Sequence, residues 1–187
     1  MAAEAVATFA EHGEVLVHDL YRDGFEPRIT LAEVRGGPAG DPLTSRYREE
    51  LARADLLVAV HPNWWGGPPA ILKGWMDRVF TEGSAYAFEK GTDEGDAPVG
   101  LLAIRRALIF NTSNTTEERE QNVFGDPLER IWRDCLLTYC GVDEVERRVF
   151  RVVATSSPEQ RIEWLREVRR MCRDAVSRIA RAGMSFE

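Results

Sequence analysis

The stretch Asp55-Leu56-Leu57-Val58-Ala59-Val60-His61-Pro62-Asn63-Trp64-Trp65-Gly66-Gly67 decides the fold. Its apolar run from Leu56 to Val60, entered from an aspartate and left through His61-Pro62-Asn63, reads as a strand buried on both faces. Such strands belong to parallel sheets with helices on either side. Directly downstream, Pro68 and Pro69 suit the first turn of a helix, and Ile71, Leu72, Trp75, Met76 and Val79 fall on one stripe of it, with Gly83 beyond its end.

Outward from this unit the pattern repeats. Ala107 to Phe110 is a second buried-type strand, ending in the polar run Asn111-Thr112-Ser113-Asn114-Thr115. Asp126-Pro127-Leu128-Glu129 puts a cap, a helix-compatible proline and an N3 glutamate in order, and Leu128, Ile131, Trp132, Cys135, Leu136 and Tyr139 then line a face before Gly141. Val145 to Val153 is more polar and reads as an edge strand. Ser157-Pro158-Glu159-Gln160 starts a last helix, with Ile162, Leu165, Val168, Cys172, Ala175 and Ile179 facing the core. Between the two buried strands, residues 84 to 103 form an excursion with extended pieces at Ala85 to Phe88 and Val99 to Leu102 around a turn at Gly91 to Asp96. Upstream, Ala2 to Glu11 reads as a helix closed by Gly13, and Val15 to Val17 as a strand ending at His18-Asp19. The segment from Tyr21 to Pro42 reads as irregular, and Thr44 as the cap of a helix reaching about Ala54. Strands alternating with helices predict one α/β domain over 1–187 with a mainly parallel sheet.

Composition narrows the function. The 187 residues carry 24 basic and 31 acidic side chains, a net charge of −7, which disfavours a general attraction to nucleic acid or anionic membrane. The three cysteines, Cys135, Cys140 and Cys172, lack C-x-x-C spacing, and His12, His18 and His61 form no ligand motif, so no metal is expected and a reducing cytoplasm fits. The N-terminus has neither a basic n-region nor an apolar core, and no apolar run is long enough for a membrane helix.

In parallel α/β sheets ligands sit beyond the carboxyl ends of the strands. The exit at His61 to Gly67 places Trp64 and Trp65 side by side between a rigid proline and two glycines. One tryptophan there can simply fill space under the next helix; both together on a glycine-flanked loop point to a ligand or partner surface. A flat conjugated ring suits it, with backbone N–H groups available to its polar edge. Asn111 to Thr116 offers short donors and acceptors at the neighbouring exit, although such residues also make self-satisfied turns. His61 alone reads as a structural hydrogen-bonder rather than a catalyst.

The run from His61 to Phe80, followed by Ala85-Tyr86-Ala87-Phe88, resembles the NAD(P)H:quinone oxidoreductases with a flavodoxin-like fold, a family that includes the Kef-type ancillary NAD(P)H oxidoreductases. Asn111-Thr112-Ser113, Phe124-Gly125-Asp126 and Tyr139-Cys140-Gly141 extend the resemblance over most of the chain from about Val15. The resemblance implies a three-layer α/β/α domain, a homodimer, FMN or FAD as cofactor, NAD(P)H as electron donor and a quinone or similar acceptor that receives two electrons. It also implies that Pro62, Asn63, Trp64, Trp65 and Gly66 hold one side of the flavin ring. Asn111, Thr112, Ser113 and Asn114 hold its neighbouring edge, and Tyr86 and Phe88 reach the partner subunit's substrate pocket. Phe88 stands where the family has a tyrosine. Phe124 precedes Gly125-Asp126 and no tyrosine lies between Asn111 and Phe124, so the tyrosine and histidine proton relay of some members has no counterpart and no catalytic acid or base is named. The alternative is a non-enzymatic regulatory or interaction subunit of the same fold that has lost flavin.

A flavodoxin-like sheet has strand order 2-1-3-4-5, with the first strand central and the flavin phosphate held by the loop after it. This sequence opens on a helix, and Val15 to Asp19 resembles the family's second strand and exit. The sheet is therefore expected to lack the N-terminal first strand and its phosphate loop, leaving its neighbours with unpaired backbone groups. A start downstream of the real one, a sheet that closes the gap, and a degenerate member are the three origins considered. The first is preferred, and it predicts that a longer product binds flavin more tightly.

Overall fold

The computed structural model describes residues 1–88 and 98–184, and the turn expected at Gly91 to Asp96 lies outside them. At its centre is β4, Arg106–Ser113, whose residues from Ala107 to Asn111 have no solvent exposure. Side chains alternate across a strand. Ala107 and Ile109 therefore enter one core with Trp75, Met76, Val79, Trp132 and Leu137, while Leu108 and Phe110 enter a second with Phe150, Trp164, Val168 and Cys172. β4 pairs in parallel with β1, Leu56–Pro62, on one side and with β5, Val145–Arg151, on the other. On the first core lie α3, Pro42–Ala52, and α4, Ala70–Val79, together with a helical stretch that begins as α6, Pro127–Arg130. The second core is closed by α1, Ala2–Phe9, and α7, Pro158–Met184. The result is the three-layer α/β/α arrangement expected from the sequence, with the polar strand β5 at a rim. The excursion forms a small antiparallel hairpin of β2, Tyr86–Ala87, and β3, Val99–Gly100.

The largest correction concerns Val15 to Val17, which has no regular secondary structure and belongs to no sheet among the described residues, with Leu16 43% and Val17 58% exposed. Its far end is tied to α3, where His18 Nε2 lies 2.8 Å from the Glu50 carboxylate. A strand exists only where a second backbone completes its ladder. In the order 2-1-3-4-5 this segment pairs with the first strand and not with β1, and no such strand occurs among the described residues. β1 shows the other half of the same effect. Among the described residues it pairs only with β4, Leu56, Leu57 and Val58 are half-buried, and Val60 is 39% exposed, so it is not covered on both faces as its composition suggested.

Smaller corrections have local causes. α1 ends at Phe9, before the expected Glu11. α3 is capped by Asp41, whose carboxylate accepts from the Thr44 N–H at 2.8 Å, while Thr44 itself is buried in the first turn. The segment from Tyr21 to Pro42 is less irregular than expected. It contains α2, Leu31–Val34, started by a reciprocal Thr30–Glu33 capping box, and is clamped to α4 by buried Arg78. The Arg78 guanidinium reaches Glu33 at 3.0 Å and Asp41 at 2.7 Å. After α6 the helix continues with π-type bonding over Ile131–Leu137 and a 3-10 turn over Thr138–Cys140. Bonding from i to i+5 rotates the face, so Trp132 and Leu137 share the core while Cys135 is exposed and Ile131 and Leu136 are only half-buried. On α7 the buried face is Trp164, Val168, Met171, Cys172 and Ala175, and the expected core residue Ile162 is exposed.

Candidate functional site

The site is built where β1 and β4 end. After Pro62 the chain makes a tight reversal in which the Trp64 and Gly67 backbones exchange hydrogen bonds at 3.0 and 2.9 Å. The two residues at its tip, Trp65 and Gly66, have φ of +54° and +80°. Positive φ at both central positions marks the primed turn that ordinarily recruits asparagine and glycine. Gly66 satisfies that demand, and a Cβ there would lie 2.7 Å from the Pro127 ring. A tryptophan in the left-handed region is strained, and strain of this kind concentrates at functional positions. Trp65 is also fully exposed, and its N–H makes no hydrogen bond among the described residues. An apolar ring and a free donor thus stand together at the tip of a rigid turn.

Asn63 shapes the turn. Its side-chain Oδ1 accepts from the Gly66 N–H at 2.8 Å, and its own N–H donates to the Thr112 carbonyl at 2.7 Å, which joins the two strand exits. Its Nδ2 donates to Glu120 at 2.6 Å. Glu120 lies on α5, Glu117–Asn122, is buried, and also accepts from Arg151 Nε at 2.9 Å.

Behind the exits lies a buried polar network. His61 Nδ1 is 2.9 Å from the Pro62 carbonyl, which only accepts, so Nδ1 carries the proton. His61 Nε2 then accepts from the Trp132 indole N–H at 2.9 Å and from Asn111 Nδ2 at 2.8 Å. The Asn111 orientation is set from its other end, where Oδ1 accepts from Arg147 Nε at 2.6 Å. Arg147 continues to Asp126 at 2.8 Å, tying β5 to the start of α6. Burial pushes the His61 pKa down from 6.5 to about 4, so the ring stays neutral. It is the structural hydrogen-bonder expected from the sequence.

The other expected site residues divide by exposure. Pro62 and Trp64 are exposed beside Trp65, and Gly66 is half-buried. Asn111 is wholly buried and fully engaged by protein partners, Thr112 is half-buried, and Ser113 is buried with its Oγ accepting from the Thr115 N–H at 3.1 Å. Asn114 is exposed, and its Oδ1 accepts from the Ala154 N–H at 2.9 Å. Tyr86 and Phe88 meet edge to face with centroids 5.9 Å apart on the β2 side of the molecule. Tyr139 joins them, with its ring 5.1 Å from Tyr86. The sequence reading assigned Tyr139 to the core and missed Glu120, Arg147 and Trp132 as supports of the site. A glutamate within Glu117-Glu118-Arg119-Glu120 reads as solvated, and no local pattern distinguishes the buried one. Among the described residues no group of three or more His, Cys, Asp or Glu could hold a metal ion, and no helix is long and apolar enough to cross a membrane.

A family model described as a flavodoxin-like fold matches residues 1–173. An uncharacterized NAD(P)H oxidoreductase of Haemophilus influenzae is 35% identical over 73% of this chain and 66% of its own, so the chain spans just under two thirds of that relative's length. The ribosyldihydronicotinamide dehydrogenase [quinone] of Mus musculus is 32% identical over 84% of this chain and 76% of its own. Among solved structures, an NAD(P)H:quinone oxidoreductase from Methanothermobacter marburgensis superposes with a TM-score of 0.75 at 27% identity, covering 93% of this chain and 91% of that one. With its three-layer sheet and its aromatic turn at the strand exit, the chain belongs to the flavodoxin-like family of NAD(P)H:quinone oxidoreductases.

Proposed function

We propose that this protein is a flavin-dependent oxidoreductase that moves two electrons, as hydride, from NAD(P)H to a quinone or similar acceptor. The observation that carries the reading is Trp65, fully exposed and held at φ +54° at the carboxyl end of the sheet. A planar ring laid on this turn meets the Trp64 and Trp65 side chains and the free Trp65 N–H, which fits an isoalloxazine. FMN and FAD share that ring.

When bound, the flavin supplies the hydride chemistry, and the protein supplies position. Pro62 stiffens the entry to the turn, Asn63 holds its shape, and Trp64 and Trp65 exclude water from one face. Gly66 allows close backbone approach, while Asn111, Thr112, Ser113 and Asn114 form and support the neighbouring edge. Tyr86 and Phe88 belong to the acceptor pocket, reaching it across a homodimer. We place it in the reducing cytoplasm, which its three cysteines without C-x-x-C spacing support.

One observation favours the second reading, a non-enzymatic regulatory subunit without flavin: among the described residues no strand pairs with the outer edge of β1, the place where the phosphate-bearing strand of this fold belongs. The visible absorption spectrum decides between them. The purified chain with FMN or FAD is expected to show a bound-flavin spectrum that bleaches with NAD(P)H and recovers with a quinone. Trp65→Ala is expected to weaken flavin binding about tenfold, the loss of a buried aromatic contact. If neither flavin is taken up, the same measurement on a chain extended upstream separates the two: uptake there supports the oxidoreductase, and none supports the second reading.

A further inference from the structure

We infer that Glu120 is a positioning residue that sets the conformation of the Trp65 turn through Asn63, an inference that rests on the reading of this turn as the flavin platform. Glu120 is 1% exposed although it lies on a six-residue helix full of charge. Its two oxygens have separate tasks. Oε2 accepts from Arg151 Nε at 2.9 Å, and Oε1 accepts from Asn63 Nδ2 at 2.6 Å, with Arg147 Nη2 at 3.9 Å adding charge.

A carboxylate offers no proton at neutral pH, so only the NH2 end of the Asn63 amide can face it. That choice turns the Asn63 carbonyl oxygen toward the Gly66 N–H, 2.8 Å away, and closes the turn beneath Trp65. With the amide reversed, two donors would face each other at Gly66 and the left-handed Trp65 would lose its support. Polarity therefore passes in one direction, from the arginines of β5 through Glu120 and Asn63 to the backbone of the turn.

This arrangement predicts a donor–acceptor swap. In Glu120→Gln the retained oxygen is claimed by Arg151, and the new NH2 group meets the NH2 group of Asn63. The asparagine then reverses and the Gly66 N–H is released. In Asn63→Asp two carboxylates confront each other. Combining the two substitutions restores complementarity, because an aspartate at 63 accepts both from Gly66 and from a glutamine amide at 120, and net charge is unchanged.

The test measures amide hydrogen exchange at Gly66 by NMR in the flavin-free chain, and FMN affinity by fluorescence quenching, for the wild type, both single variants and the double variant. Glu120→Gln is expected to speed Gly66 exchange and weaken FMN binding by about tenfold each, with the double variant recovering most of both. Wild-type values in Glu120→Gln overturn the inference, as does a double variant no better than the two single effects combined. If Glu120→Gln fails to fold, a folded double variant with a protected Gly66 supports the inference, and an unfolded one overturns it. Should the wild type bind no FMN, the functional reading falls while the Gly66 exchange rates still decide the positioning role.

Discussion

His61 illustrates how a single residue couples the sheet to the site. Its neutral ring accepts from Trp132 and Asn111, so protonating Nε2 would set a cation against two donors inside the core. The folded pKa of about 4 lies below the unfolded value of 6.5, and the unfolded chain therefore binds the extra proton between these values. The stability from this residue is complete above 6.5 and is lost as pH falls toward 4, a decrease of about 3 kcal/mol for the 2.5-unit difference. Urea midpoints measured across that range should show the slope. His61→Ala should flatten the slope and lower stability at pH 7 by about 2–4 kcal/mol, because two buried donors lose their acceptor. The role of His61 was legible in the sequence as that of a lone histidine. Its partners lie 50 and 71 residues away, and no spacing rule reaches that far.

At the scale of elements, short apolar runs identified β1 and β4 correctly because each run is long enough to cross the core and is bounded by polar residues, Asp55 and His61 for β1 and Arg106 and Asn111 for β4. The same criterion failed at Val15 to Val17, since an apolar run becomes a strand only with a partner. The outer edge of β1, which pairs with no strand among the described residues, makes this testable. A chain extended upstream of Met1 by an apolar strand is expected to pair with β1, gaining roughly 1 kcal/mol for each ladder hydrogen bond before the entropy of ordering the added residues. It should melt at a higher temperature and bind FMN more tightly than the 187-residue chain. Equal melting temperature and equal affinity would show that the edge is satisfied as it stands. The helical stretch after Asp126 was also legible in position but not in phase, because its buried face follows i to i+5 bonding over Ile131–Leu137 and not the ordinary helical period.

For the whole molecule, Tyr86, Phe88, Val99, Leu101 and Tyr139 leave apolar surface around the β2–β3 hairpin, with Phe88 43% and Tyr139 39% exposed. The proposed homodimer covers this surface. Sedimentation velocity should then show a concentration-dependent dimer, and Phe88→Glu should shift it toward monomer with little effect on the melting temperature of the isolated subunit. A chain that stays monomeric at every concentration would assign the aromatic cluster to another role. From the sequence alone came the α/β class, the parallel sheet, the two strand exits and the aromatic turn, since each is written in apolar runs, prolines and glycines a few residues apart. Tertiary structure alone decided that Val15 to Val17 joins no sheet among the described residues, that Asn111 supports the exit from behind, and that Glu120 reaches Asn63 across 57 residues. Pairing and buried hydrogen bonding depend on which groups meet in space, and local composition carries no record of a distant partner.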